Sequence, residues 1–257
     1  MSGVQFLQLP QKMKSNSFEK PEEPAKETAQ EIMPVSVEFL KSFYSSPDFL
    51  KTLKRAVRIM NKREGWESGF VMLKDLETDQ VLISDIAESE EQTETDLGLV
   101  IRNLEIQARK KFPERKFAGF GSFHFHPRFF EDRPIIPSGI ERDLSATAES
   151  RLRNRSNFDY DIIPIEMIAE QTRDKKEVVI LVYQEPINFS LEETPTAFED
   201  LDLSLKEVNT QDEVLELLRG EGYRAEILRT KGLGFTPDDL QKLASFAYTP
   251  RSVKISD

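Results

Sequence analysis

The chain has 257 residues, 38% hydrophobic and 32% charged, enough apolar material for one good-sized domain with appendages or for two small ones. Its net charge of −11, from 35 basic and 46 acidic residues, argues against partners held by phosphate neutralisation, so neither nucleic acid nor an anionic membrane is expected. No cysteine is present, which excludes disulfides, thiolate catalysis and cysteine-ligated zinc; with no signal-peptide core and no apolar run of the ~18 residues that span a bilayer, a soluble cytoplasmic protein is expected.

Residues 1–33 are charged, proline-containing and almost free of large apolar side chains, so they read as a disordered tail, with only "VQFL" able to dock. Ser46 and Pro47 then signal a helix start, followed by an apolar stripe of Phe49, Leu50, Leu53, Val57 and Met60. "WESGFVML" and "QVLISDI" flank "KDLETD" and predict a β-hairpin over 66–86. An acidic loop leads to a helix near 95–111 with Leu97, Val100, Ile101 and Leu104 facing inward. "FAGFGSFHFHP" reads as a strand, and a two-proline loop over 128–137 precedes a helix expected from about 139 to 154.

"IIPIEMIAE" and "EVVILVYQE", joined by "TRDKK", predict a second hairpin. After Pro186 an acidic linker, "SLEETPTAFEDLD", is expected. Beyond it lie a helix with a Thr210/Glu213 capping box and a stop at Gly220, the strand "YRAEIL", and a capped helix in "TPDDLQKLASFA". The order predicts an α/β fold of α+β character, a mixed sheet flanked by helices. The expected divisions are a tail over 1–33, a main domain over 34–190 and a small α/β extension over 191–257 given to packing or partner binding.

The only two histidines, His124 and His126, stand one residue apart in the strand "GSFHFHP". Residues i and i+2 of a strand project to the same face, with Cα atoms roughly 7 Å apart, so two imidazoles can converge on one metal ion. A packed or solvated pair is the bland alternative, and the residues downstream of Pro127 count against it.

His-x-His-Pro followed by Pro-Ser and acid-Leu in "HPRFFEDRPIIPSGIERDL" resembles the metal-binding core of the JAMM (MPN-type, Mov34/PAD-1-like) zinc metalloproteases, over roughly residues 50–185. The resemblance implies an MPN-like sheet and a Zn2+ ion held by His124, His126 and a downstream aspartate. It also implies a serine, matched by Ser138, that supports the tetrahedral intermediate, and a general acid/base glutamate on an earlier strand. "GWESGF" offers Glu67 for that role, at the head of the first hairpin. Two departures stand out. The loop from Pro127 to Ser138 has ten residues, longer than the family's usual loop. The family's aspartate follows its serine by three positions, where this chain has Glu141, while Asp143 follows by five. A helix beginning at Ser138 makes Glu141 a capping-box residue; one beginning two residues later brings Asp143 to the ligand position, and Asp143 is the preferred ligand.

The function implied is hydrolysis of a peptide or isopeptide bond in a protein or peptide substrate, with ubiquitin-like conjugates as one class. The alternative is a non-catalytic MPN-type interaction module, although modules of that kind typically lose the histidines. A RadC-like reading linked to DNA is opposed by the charge. "KGLGFTPDD" lacks the Lys-Ser/Thr of a phosphate-binding loop.

Overall fold

The computed structural model describes residues 34–62, 67–88, 97–137, 143–158, 160–186, 194–231 and 234–252. The tail 1–33, Ser138 and Glu141 therefore lie outside the described residues.

The helices are α1 (Val37–Tyr44), α2 (Pro47–Lys62), α3 (Leu97–Lys111), α4 (Leu144–Phe158), α5 (Thr194–Glu207), α6 (Gln211–Gly220) and α7 (Pro237–Ala244). The strands are β1 (Ser68–Asp75), β2 (Val81–Ile83), β3 (Ala87–Glu88), β4 (Phe117–Phe129), β5 (Tyr160–Asp161), β6 (Ile165–Gln171), β7 (Glu177–Gln184), β8 (Arg224–Lys231) and β9 (Arg251–Ser252). Seven strands form one mixed sheet in the order β2-β1-β4-β6-β7-β8, with β3 also on β1. Among the described residues only the central β4–β6 pair in this sheet is parallel. This is the mixed α/β architecture expected from the order of apolar patterns.

Strand alternation splits the core between two faces. Phe70, Met72, Phe123 and Phe125 pack with α1, α2 and α7 through Phe39, Phe49, Leu53 and Leu243. Val71 and Leu73 face the other way, against Ile101 and Leu104 of α3. Ile168 and Leu181 continue that second face beneath Leu144 and Ala148 of α4, Leu205 of α5 and Leu218 of α6. Among the described residues no helix is long and apolar enough to cross a membrane.

Two expectations change. The acidic stretch after Pro186 is helical from Thr194: Leu201 and Leu205, one turn apart, are buried, and the buried Asp202 is paired with Lys206. The described part of the segment 191–257 joins the main sheet and core: β8 pairs along the whole of β7, and Tyr248 bridges Val35. α6 ends at Gly220, as expected, and the left-handed residue beyond it is Gly222, at φ 83°. α1, with Ser36 as its N-cap, is an element the apolar stripe of α2 overshadowed in the sequence.

Candidate metal centre

The site lies on the α3–α4 face of the sheet, and strand register builds it. In β4, Ser122, His124 and His126 share that face. Across β1, Gly69 pairs with His124 and Val71 with Ser122, and Glu67, one step before the strand, acts electrostatically on His124. Across β6, Ser122 pairs with Glu166 and His124 with Ile168, which brings Glu166 and Glu170 to the same side. Gly69 is needed there. A Cβ at this position would lie 2.6 Å from the Phe123 carbonyl oxygen and 3.0 Å from the His124 Cβ.

Both imidazoles are buried, and their Nε2 atoms are 3.3 Å apart. The Asp143 carboxylate, at the foot of α4, closes the triangle with Oδ1 3.4 Å from His124 Nε2 and Oδ2 3.8 Å from His126 Nε2. One donor atom from each of the three lies within 4.8 Å of the others. Donors bonded at about 2.0–2.1 Å to a tetrahedral ion are separated by about 3.3–3.4 Å, so two of these contacts already have the length of a tetrahedron edge. The α-helical turns of α4 run from Leu144, which puts Asp143 just before them at the end that faces the histidines; the start expected near 139 lies outside the described residues.

The electrostatics agree with a cation here. Burial disfavours the charged form of His124, yet the adjoining Asp143 carboxylate, with Glu67 and Glu166, holds its pKa above the usual value. Burial also opposes ionisation of Asp143, and the two imidazoles override it, holding the carboxyl well below the usual range. Both Nδ1 atoms are buried without a hydrogen-bond partner among the described residues. That of His126 has Glu170 Oε1 at 3.5 Å, on a side chain with no exposure at all. Glu166, raised by its own burial, accepts a hydrogen bond from the Ser122 hydroxyl.

Glu166 and Glu170 are site residues that the sequence pattern alone did not single out. Their i, i+4 spacing in "IEMIAE" puts both on one strand face, but only the β4–β6 pairing shows which face that is. Of the five residues expected at the site, His124, His126 and Asp143 are brought together, and Glu67 stands close enough to act electrostatically on His124. Ser138, the fifth, lies outside the described residues, as does the rival ligand Glu141. No protein-family model matches the chain, and no curated protein matches it.

Proposed function

We propose that this protein is a zinc-dependent hydrolase of peptide or isopeptide bonds, of the JAMM type, acting in the cytoplasm on a protein or peptide substrate such as a ubiquitin-like conjugate. The observation that carries the reading is the convergence of His124 Nε2, His126 Nε2 and the Asp143 carboxylate, with Glu67 close enough to act electrostatically on His124. Two imidazoles and one carboxylate are a donor set suited to zinc, and they leave a fourth position open. The three donors also answer one another poorly without an ion. Two imidazole nitrogens facing each other at 3.3 Å can share at most one proton between them.

Zinc, when bound, supplies Lewis acidity: it polarises a carbonyl oxygen and lowers the pKa of water to about 7. Glu67 takes the proton of the attacking water and passes it to the leaving amine, the work of a general acid/base. Asp143 and the buried wall of β4 and β6 hold both imidazoles in place, while Glu170 faces the outer nitrogen of His126. Ser138 keeps the role the family resemblance gives it, a hydrogen-bond donor to the developing oxyanion.

Metal analysis of protein purified without chelator, wild type against His126→Ala, tests the centre; about one zinc per chain is expected in the first and little in the second. Glu67→Gln should keep its zinc and lose 10²- to 10⁴-fold in hydrolysis of fluorogenic peptide and isopeptide substrates, roughly the worth of a general acid/base. A wild-type chain that neither carries zinc nor takes it up on titration ends the reading. Stoichiometric zinc without hydrolysis of any amide substrate points instead to the interaction module.

A further inference from the structure

A cavity of about 110 Å³ opens from His124 and Asp143 and runs along α4, with Leu97 and Ile101 of α3 as its opposite wall. Its apolar side is provided by those residues and Val71, and the α4 side carries Ser150 and Arg153. Three arginines of α4 differ in what they face. Arg151 is fully buried and grips both oxygens of Asp161, at 2.7 and 2.6 Å, and Arg155 binds the same carboxylate at 2.8 Å. Arg153, between them, is only half-buried and lines the cavity. Its Nη1 is sealed from solvent with no hydrogen-bond partner among the described residues.

We propose that this cavity is a carboxylate-binding subsite of the hydrolase, with Arg153 as its anchor, so that the substrate carries a carboxylate near the scissile bond. A guanidinium nitrogen removed from water and left without an acceptor costs free energy, and a carboxylate is the partner its fork geometry fits best. The other charges of the cavity do not supply it. Asp143 is engaged with the histidines, Glu166 accepts from Ser122, and Glu149 is exposed. Those three acids also select against a doubly charged phosphoryl group, which they repel more strongly than a single carboxylate.

The length of the helix sets the spacing. Arg153 follows Asp143 by ten positions, about 15 Å of helix rise, and a helical side chain leans back toward the N-terminus. A head group brought back in this way meets an extended substrate about three to four residues from the bond at the metal centre. The carboxylate is then an acidic side chain or the C-terminus of a short extension.

The placement of the scissile bond rests on the function proposed above; the carboxylate preference does not, and can be measured with and without zinc. The probes are acetyl-Ala-Ala-Ala-Asp-amide, its Asn counterpart, and acetyl-Ala-Ala-Ala-Ala with a free C-terminus. They are titrated into the full chain while the amide NMR signals of residues 119–122 and 146–153 are followed. The Asp peptide or the free-acid peptide should bind about tenfold more tightly than the Asn peptide, the worth of one charged hydrogen bond, and the better of the two identifies the source of the carboxylate. Arg153→Gln should remove the preference, Arg153→Lys should keep most of it, and inorganic phosphate should not compete. Equal binding of all three peptides, no binding by any of them at millimolar concentration, a preference that survives Arg153→Gln, or displacement by phosphate overturns the proposal. A preference seen in a chain that binds no zinc leaves the subsite standing and removes only the hydrolase reading.

Discussion

His126 and Glu170 meet on adjacent parallel strands, with Nδ1 of the imidazole 3.5 Å from Oε1 of a carboxylate that has no solvent exposure. The pair lies on the side of the ring away from Asp143, whose carboxylate faces Nε2. A carboxylate at the outer nitrogen of a metal-binding histidine fixes its tautomer and ring orientation and raises its basicity, and losing such a partner typically costs 10- to 100-fold in metal affinity. Glu170→Gln, which keeps the shape and removes the charge, should weaken zinc binding by about tenfold, and Glu170→Ala by up to about a hundredfold. Competition against a chelator measures both, and 15N shifts of the imidazole report the tautomer. If both variants hold zinc as tightly as wild type, Glu170 serves the core and not the centre.

Gly69 is the counterpart of this arrangement on the other neighbour of β4. It faces His124 across the β1–β4 ladder, and the missing side chain is what lets the imidazole lie there. Gly69→Ala forces a Cβ against backbone and against Leu97 Cδ2 at 3.2 Å, and should cost about 1–3 kcal/mol of stability together with zinc affinity. Gly220→Ala is the control, since nothing lies within 4 Å of a Cβ at that position, and it should leave thermal unfolding nearly unchanged. Equal melting temperatures for Gly69→Ala and wild type would mean that β1 and β4 part easily at this point.

These two neighbours explain how much of the site is legible in the sequence. The His-x-His pair announces itself through strand alternation, a rule that acts over two residues, whereas Glu67 stands out only through the family resemblance. Glu170 and Glu166 become site residues only through a parallel pairing between strands some forty residues apart, and no local pattern in "IEMIAE" encodes which face meets β4. Arg151 is invisible for a similar reason. Its partners Asp161 and Glu185 come from different segments, so the sequence shows one more arginine on a polar helix. At α5 the composition misleads, because the dense acids that suggest a linker share a helix with Leu201 and Leu205, whose burial holds it to the core.

Asp143 and Glu141 compete for one ligand position in the sequence, and Asp143 is the residue that lies against both Nε2 atoms. Asp143→Asn should lower zinc affinity by several orders of magnitude, since it replaces the one charged ligand of the proposed set with a neutral one. Glu141→Gln should change affinity little. The two titrations, run side by side against the same chelator, decide the matter. Full zinc binding by Asp143→Asn with loss in Glu141→Gln reverses the assignment.

Away from the centre, Glu185 gives the fold a measurable pH dependence. Its carboxyl is buried against Arg151, with Oε2 3.3 Å from Nη1, while Oε1 has no hydrogen-bond partner among the described residues. Burial outweighs the attraction of Arg151 and pushes the pKa up from 4.5 to about 7. The folded chain therefore holds this proton more tightly than the unfolded one. Stability is full below the unfolded value, falls as pH rises from 4.5 toward 7, and is level above it, with a total loss of at most about 3 kcal/mol. Asp161 works in another window. Its pKa is lowered, since Arg151 and Arg155 overcome the opposing effect of burial, so its contribution is present above the usual value of 3.8 and lost as the pH falls below it. His124, raised above its usual value, adds a decline of the same sign at higher pH, so the comparison must be between proteins and not along one curve. Urea unfolding of wild type and Glu185→Gln at several pH values between 4.5 and 8 makes that comparison. The wild type should lose stability relative to the variant as the pH rises, and the gap should stop growing above about 7. A constant gap across the whole range would mean that Glu185 is ionised throughout and that Arg151 dominates its burial.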